Sequence, residues 1–395
     1  MERKSRKILL LAGKAVIAAV LLTWVLGQVH FRDYVVAADG ESYSVLAVND
    51  DGFTVAGGAF WWRREAQRPR ADFKPIPNSE KLVRQGFVST IRTLNKAMLA
   101  CAVVGLGISL LIIAARWWML LRIQDVRISL PEAVRLTFVG QFFNAVVPGT
   151  IGGDLVKGYY VARHTPRKAA VLVSIFVDRV MGMTGLGLLS AVMLAVALAG
   201  GLADASQLRR PVVAVAVVGV IVPVVLAFLL SSRIRRLLHL ERFYRHLPLA
   251  HHVAAAGDAA RLYRRRIGAL GQAVMITFVA QIFWIGSIVL VGKSLSLSTP
   301  WYTYFLYIPL IYIFGAVPLT PGGVGLIEKL YVVFFTAVSP SAVLAMALLA
   351  RLVPMFWGLP GAIFAVAGPK LPKAEIIQAE LGLDQTPDNA RRDSS

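Results

Sequence analysis

Little in this 395-residue chain could hold a disulfide, a metal or a soluble surface. Its one cysteine, Cys101, excludes an intrachain disulfide and a cysteine-based metal cluster. Charged residues make up 16% of the sequence, against about a quarter in an ordinary soluble domain. Acids are the scarcer sign, 22 against 42 lysines and arginines. Of the six histidines, His239, His246, His251 and His252 share one basic stretch, with no acid or cysteine at ligand-like spacing, so no metal is expected. GSIVLVGKS at 286–294 has five residues where a phosphate-binding loop needs four before Gly-Lys, and GGVG at 322–325 lacks the strand and spacing of a dinucleotide fingerprint. No cofactor is therefore expected. No Ser/His/Asp set or carboxylate pair stands on a soluble platform.

What the chain has is apolar sequence: 57% hydrophobic residues and a mean hydropathy of +0.65. Several runs approach the ~20 apolar residues that cross a bilayer. Full spans are expected near 8–29, 97–118, 174–200, 211–230, 270–292 and 341–367. The fold class expected is an all-α polytopic membrane protein, with about six full spans, two inverted re-entrant helix-break segments and a small β-rich extracytoplasmic insert. The first run follows MERKSRK without a small-residue cleavage site, so an uncleaved anchor over 1–29 is expected.

A formal charge of +20 would point to nucleic acid in a soluble protein. Here the bases crowd the ends of apolar runs, the pattern that fixes membrane orientation, so no nucleic-acid partner is expected. Residues 232–266 carry nine arginines against Glu241 and Asp258, which places that loop in the cytoplasm beside the anionic inner leaflet. Counting spans outward puts both termini in the cytoplasm of a multi-pass inner-membrane protein. Residues 30–95 form the insert, where YSVLAVNDDGFTVAGG alternates around Asp51-Gly52 as a hairpin does. Within it, WWRREAQRPR (61–70) reads either as an interfacial contact or as a solvated loop edge. The transmembrane domain is expected over 96–368, followed by a disordered cytoplasmic tail over 369–395.

Two stretches break the apolar pattern in the same way. NAVVPGTIGGDLVK (144–157) and GAVPLTPGGVGLIEK (315–329) each place a proline four residues before a double glycine, then an acid. Arg179 follows Pro148 by 31 residues and Arg351 follows Pro318 by 33, so the pattern repeats in order. With three expected spans between them, the copies would enter the membrane from opposite sides. Transporters built on inverted repeats use broken helices of this kind to place a site near the midplane. Irregular backbone at that depth is tolerated only against protein or a water-filled cavity. Pro148, Gly152, Gly153, Pro318, Pro321, Gly322, Gly323 and Gly325 are therefore expected to shape a cavity. Asn144, Asp154, Lys157, Arg179, Glu328 and Arg351 are expected to bind substrate there. Each charge would cost about 2.5–3.5 kcal/mol at a helix centre unless paired or facing a cavity. Adjacent Asp178 and Arg179 must point to different sides of one helix. Arg179 and Arg351 are expected to meet Asp154 and Glu328 across the two copies.

These stretches resemble the two signature regions of the lysylphosphatidylglycerol synthase transmembrane family. The pattern N…P…GGD, an arginine in the next helix, then P…GG.G..E is matched by Asn144, Pro148, Gly152, Gly153, Asp154, Arg179, Pro318, Gly322, Gly323, Gly325 and Glu328. The likeness covers about 97–367. It implies a flippase-like membrane domain; in bifunctional members a separate soluble domain performs aminoacyl transfer. No room for that domain follows residue 367, so a member without it is expected. The expected substrate is a membrane phospholipid or lipid-linked headgroup, moved chemically unchanged. The alternatives are a membrane enzyme acting on a lipid phosphate or lipid-linked sugar, and a scaffold for an envelope complex. A second copy of the chain and an envelope protein both remain open as protein partners.

Overall fold

A computed structural model of the chain describes most of 12–27, residues 29–38, 41–49, 51–57, 64–75, 82–146, 152–163, 165–202, 205–230, 266–317 and 319–367, and Tyr263. It is mainly helical, with one small sheet. Among the described residues, four helical stretches are long and apolar enough to cross a membrane: Lys96–Ile123, Lys168–Ala199, Gly268–Ser294 and Pro340–Ala365. They cover four of the six expected spans. The expected span at 8–29 lies partly outside the described residues. The one at 211–230 falls within a helix over Ala205–Leu230 that is not among the four. Most of 232–266 and all of 369–395 lie outside the described residues, as do Pro148 and Pro318.

The insert is a four-stranded antiparallel meander: β1 (Tyr34–Val36), β2 (Ser42–Val48), β3 (Gly52–Gly57) and β4 (Arg64–Pro69). The expected hairpin is β2–β3, closed by the Asn49 N–H donating to the Gly52 carbonyl. Alternation puts Val35, Phe53 and Val55 on the buried face, where they pack with Ala37 and Phe73. Arg64–Pro69, part of the stretch 61–70 read from sequence as an interfacial contact or a loop edge, forms an edge strand paired in full register with β3. Asp33 ties the sheet to the next helix, accepting from the Gly86 N–H and the Ser89 hydroxyl.

The helices are α1 (Phe87–Arg92), α2 (Lys96–Ile123), α3 (Leu130–Val146), α4 (Gly152–Ala162), α5 (Lys168–Ala199), α6 (Ala205–Leu230), α7 (Ile267–Ser294), α8 (Trp301–Gly315), α9 (Leu326–Phe334), α10 (Pro340–Phe356) and α11 (Gly358–Ala367). One order of lengths occurs twice: long α2, shorter α3, short α4, long α5; then long α7, shorter α8, short α9, and α10–α11 in line. At 1.5 Å per residue α3 and α8 reach about 25 and 22 Å, and α4 and α9 only about 16 and 14 Å, short of a hydrocarbon core of about 30 Å. The leading helices of the two runs pack antiparallel along their length. Asn95 N–H donates to the Ser294 carbonyl at one end, Ser109 Oγ to the Ala280 carbonyl midway, and Tyr263 OH to the Leu120 carbonyl at the other.

Beyond that pair the runs interlace. α3 packs on α11 of the second run, where a Cβ on Gly361 would strike the Phe138 carbonyl. α8 packs on α5 of the first run, with Ser190 Oγ donating to the Leu306 carbonyl. Two apolar cores result, one within the first run and one mainly of the second run that also takes in Ala102, Leu106 and Leu189 of the first. Trp117, Leu136, Val139, Val156 and Val171 fill the first; Ile288, Ile308, Tyr331, Val343 and Met346 lie in the second.

Candidate functional site

The first break sets its acid at the start of a helix. Asp154 is the third residue of α4, where a carboxylate suits the unpaired N–H groups and the positive end of the helix dipole. One of those donors, the Gly153 N–H, is taken by Asn144 Oδ1 at 2.9 Å from the end of α3. Gly153 is required by packing, since any Cβ there would collide with the Gly140 carbonyl. Two cations converge on Asp154: Arg179 Nε, donated from α5 to Oδ2, and Lys157 Nζ, 3.4 Å from Oδ1. The lysine stem runs past Gly140, and its ammonium lies 4.7 Å from the centre of the Trp117 ring.

The second break is built by glycine backbone. Gly322, Gly323 and Gly325 have φ of 61°, 70° and 81°, values an L side chain rarely adopts. Glu328, the third residue of α9, is 2% exposed and reaches back to accept the Gly325 N–H at 2.7 Å. Arg351, from α10, donates Nε at 2.9 Å and Nη2 at 2.7 Å to the same Glu328 Oε1. Its Nη1 donates to the Gly322 carbonyl at 3.1 Å. One guanidinium thus satisfies both the acid and a carbonyl freed by the break.

Each acid therefore binds the arginine of its own run. The expectation of pairing across the two copies is corrected, and the reason is local. Acid and arginine are 25 residues apart in the first run and 23 in the second, one helix and one turn away, and each hairpin folds back onto the helix that follows it. The two runs also touch near these clusters, with Gln141 Nε2 of α3 donating to the Pro354 carbonyl of α10 at 3.3 Å.

A third polar cluster escaped sequence reasoning. Arg116 of α2, 4% exposed, donates Nε to Asp178 Oδ1 at 2.9 Å and Nη1 to Thr277 Oγ1 at 2.7 Å. Its signal was present: a single charge inside the apolar run 97–118. The divergence expected of Asp178 and Arg179 is what the structure has, one facing α2 and the other α4. Taking one partner from a buried pair of this kind costs about 3–5 kcal/mol, so these clusters hold helices in place as well as offering charge.

A family model described as the lysylphosphatidylglycerol synthase TM region matches residues 83–361, from just before α1 into α11. No curated protein matches the chain.

Proposed function

The chain belongs to the lysylphosphatidylglycerol synthase transmembrane family, and from that premise we propose that it is a lipid translocator of the flippase type in the cell's inner membrane. The observation that carries the reading is the repeated arrangement of a glycine break, a short helix with a buried acid at its third residue, and an arginine from the next long helix. We read the two runs as inverted repeats, and α3–α4 and α8–α9 as re-entrant hairpins, because α2 and α7 run antiparallel and the short helices fall below bilayer length. Buried charges placed at irregular backbone in an apolar protein mark a substrate pathway in this class of fold. A lipid headgroup would enter between the runs, bound by the side chains of Asn144, Asp154, Lys157, Arg179, Glu328 and Arg351, while the acyl chains stay in lipid.

The enzymatic alternative fits less well. A general base needs a carboxylate with a free oxygen within reach of the proton it removes. Asp154 has a cation on each oxygen, and Glu328 has one oxygen on Arg351 and the other on the Gly325 N–H. The test is leaflet exchange of labelled phospholipids in liposomes holding the purified chain, beside a Glu328→Gln/Arg179→Ala double variant. Exchange faster than in protein-free liposomes, and lost in the variant, supports translocation. Conversion of the lipid into a new product would overturn it in favour of an enzyme.

A further inference from the structure

One end of the helix bundle carries cations that no described acid balances. α2 and α4 end there, and α3, α5 and α7 begin there. The Tyr263 hydroxyl donates to the Leu120 carbonyl at this end, and Arg167 Nη1 to the Gln124 carbonyl. Its two acids are each taken, Asp125 by Arg167 and Glu132 by Arg135. That leaves Arg122, Arg127, Arg163, Lys168 and Arg266 exposed, with no carboxylate facing them among the described residues. Two of these are laid on aromatic rings rather than free in solvent. Arg122 lies 4.7 Å from the centre of the Trp118 ring and Arg163 5.8 Å from that of Tyr159. Residues 232–265, which lead into α7 at this end, add eight arginines against Glu241 and Asp258, so they deepen the excess.

The chain delivers the opposite charge to the same place. α11 runs back along α3: a Cβ on Gly358 would meet Phe142 Cα, and one on Gly361 the Phe138 carbonyl. Its last residue, Ala367, therefore lies toward the start of α3, where Leu130 is 39% exposed. Beyond it, residues 374–388 read AEIIQAELGLDQTPD, with Glu375, Glu380, Asp384 and Asp388 and no base among them. Glu375 is eight residues past Ala367, a reach of at most about 26–29 Å. α3 packs on α2 and α4, and α2 on α7, with helix axes about 8–10 Å apart, so every cation of this end falls within that reach. Exposed ion pairs are weak singly. A short tether, however, sets an effective concentration on the order of millimolar, which favours this segment over a free acidic partner. It also supplies its acids whatever the lipid, whereas a leaflet supplies anions only in proportion to its composition.

We propose that the acidic segment 374–388 docks on the basic end of its own chain, across the α2–α3 and α4–α5 loops. Its carboxylates meet Arg122, Arg127, Arg163 and Lys168, and Ile376 and Ile377 cover Leu130. The contact ties the end of the second run to the loop that closes the first hairpin, and it does not depend on lipid translocation. Salt weakens it, as it weakens any set of exposed charge pairs. The anionic leaflet is the rival occupant of the same arginines.

The test uses the full chain in phosphatidylcholine nanodiscs. Cys101→Ser clears the native thiol, and spin labels at Pro166→Cys and Ala379→Cys report the distance between the α4–α5 loop and the segment. The labelled chain should show a short, narrow distance population at low salt that spreads at high salt. Replacing Glu375, Glu380, Asp384 and Asp388 by their amides should remove most of it. Arg127→Glu/Arg163→Glu should do the same, and adding Glu375→Lys/Glu380→Lys to that pair should bring it back, which a role in folding alone would not do. Should the arginine variant fail to fold, the amide variant carries the test, since it alters no described residue. A distribution as broad in the labelled chain as in the amide variant overturns the proposal. Nanodiscs of equal phosphatidylglycerol and phosphatidylcholine set the leaflet against the segment. A short population that persists there supports docking; one that vanishes there overturns it in favour of the leaflet.

Discussion

The two glycine breaks solve one problem with different materials. In the first, α3 and α4 meet backbone to backbone at Gly140 and Gly153, and an amide side chain, Asn144, caps the short helix. In the second, three glycines in the left-handed region turn the chain, Glu328 caps its own helix, and Arg351 ties down the turn. In the first, Arg179 and Lys157 both face Asp154; in the second, Arg351 faces Glu328. The second half is also clamped from outside. The His30 N–H donates to Ser341 Oγ at the start of α10, Val25 and Val29 pack on Leu344, and Lys329 Nζ lies 4.7 Å from the Trp24 ring. A polar arrangement repeated in a fold need not be built the same way twice.

The largest effect should come from breaking the clasp. Arg351→Ala leaves Glu328 buried without its cation and is expected to cost about 3–5 kcal/mol, read as a lowered unfolding midpoint or failure to accumulate. Arg179→Ala should cost clearly less, because its side chain is more open and Lys157 still faces Asp154. Equal losses would remove the distinction between the two clusters. Arg116→Gln should fall between them, since the amide can still reach Thr277 or Asp178 but cannot neutralise the acid.

Glycine substitutions sharpen the comparison at smaller scale. Gly153→Ala must push α3 and α4 apart and should cost about 1–3 kcal/mol, as overpacking does. Gly322→Ala meets no atom and bears only the left-handed conformation, about 1–2 kcal/mol. Denaturant unfolding of the two variants should show that order; the reverse order would mean that the first contact is looser than described.

The sequence made the breaks legible because membrane sequence is otherwise uniform: proline, double glycine and acid stand out against leucine and valine. Four of the six expected spans coincide with apolar helices for the same reason, and the β2–β3 hairpin was marked by alternation and Asp51-Gly52. What could not be read was partner choice. Nothing local tells Arg179 to take Asp154 of its own run rather than Glu328; that depends on how far the hairpin folds back. Arg116 was missed because one arginine near the end of an apolar run looks like a boundary residue until α7 supplies Thr277. The edge strand β4 was hidden by REAQRP, which has neither alternation nor β-branched residues and is held by pairing with β3 and by Arg68 over the Tyr43 ring of β2.

The smallest expected effect concerns the external clamp. The His30 ring stacks on Tyr34 at 4.0 Å, and burial pushes its pKa below the usual 6.5. The folded chain keeps the neutral ring. Its contribution is complete above about pH 6.5 and is lost as pH falls through the lowered folded-state value. The unfolding midpoint should therefore drop on acidification by a little more in the parent chain than in His30→Gln. Identical pH profiles would show that the ring does not sense the clamp.

The central claim is that the chain moves lipid by way of its buried polar clusters. It is tested most directly by leaflet exchange of phosphatidylglycerol and phosphatidylcholine in liposomes, comparing the parent with Lys157→Met. The parent should speed exchange above protein-free liposomes for at least one of the two lipids. Lys157→Met should lose most of that acceleration while remaining folded. Exchange no faster than in protein-free liposomes for either lipid, or a parent and variant that move both lipids alike, would contradict it.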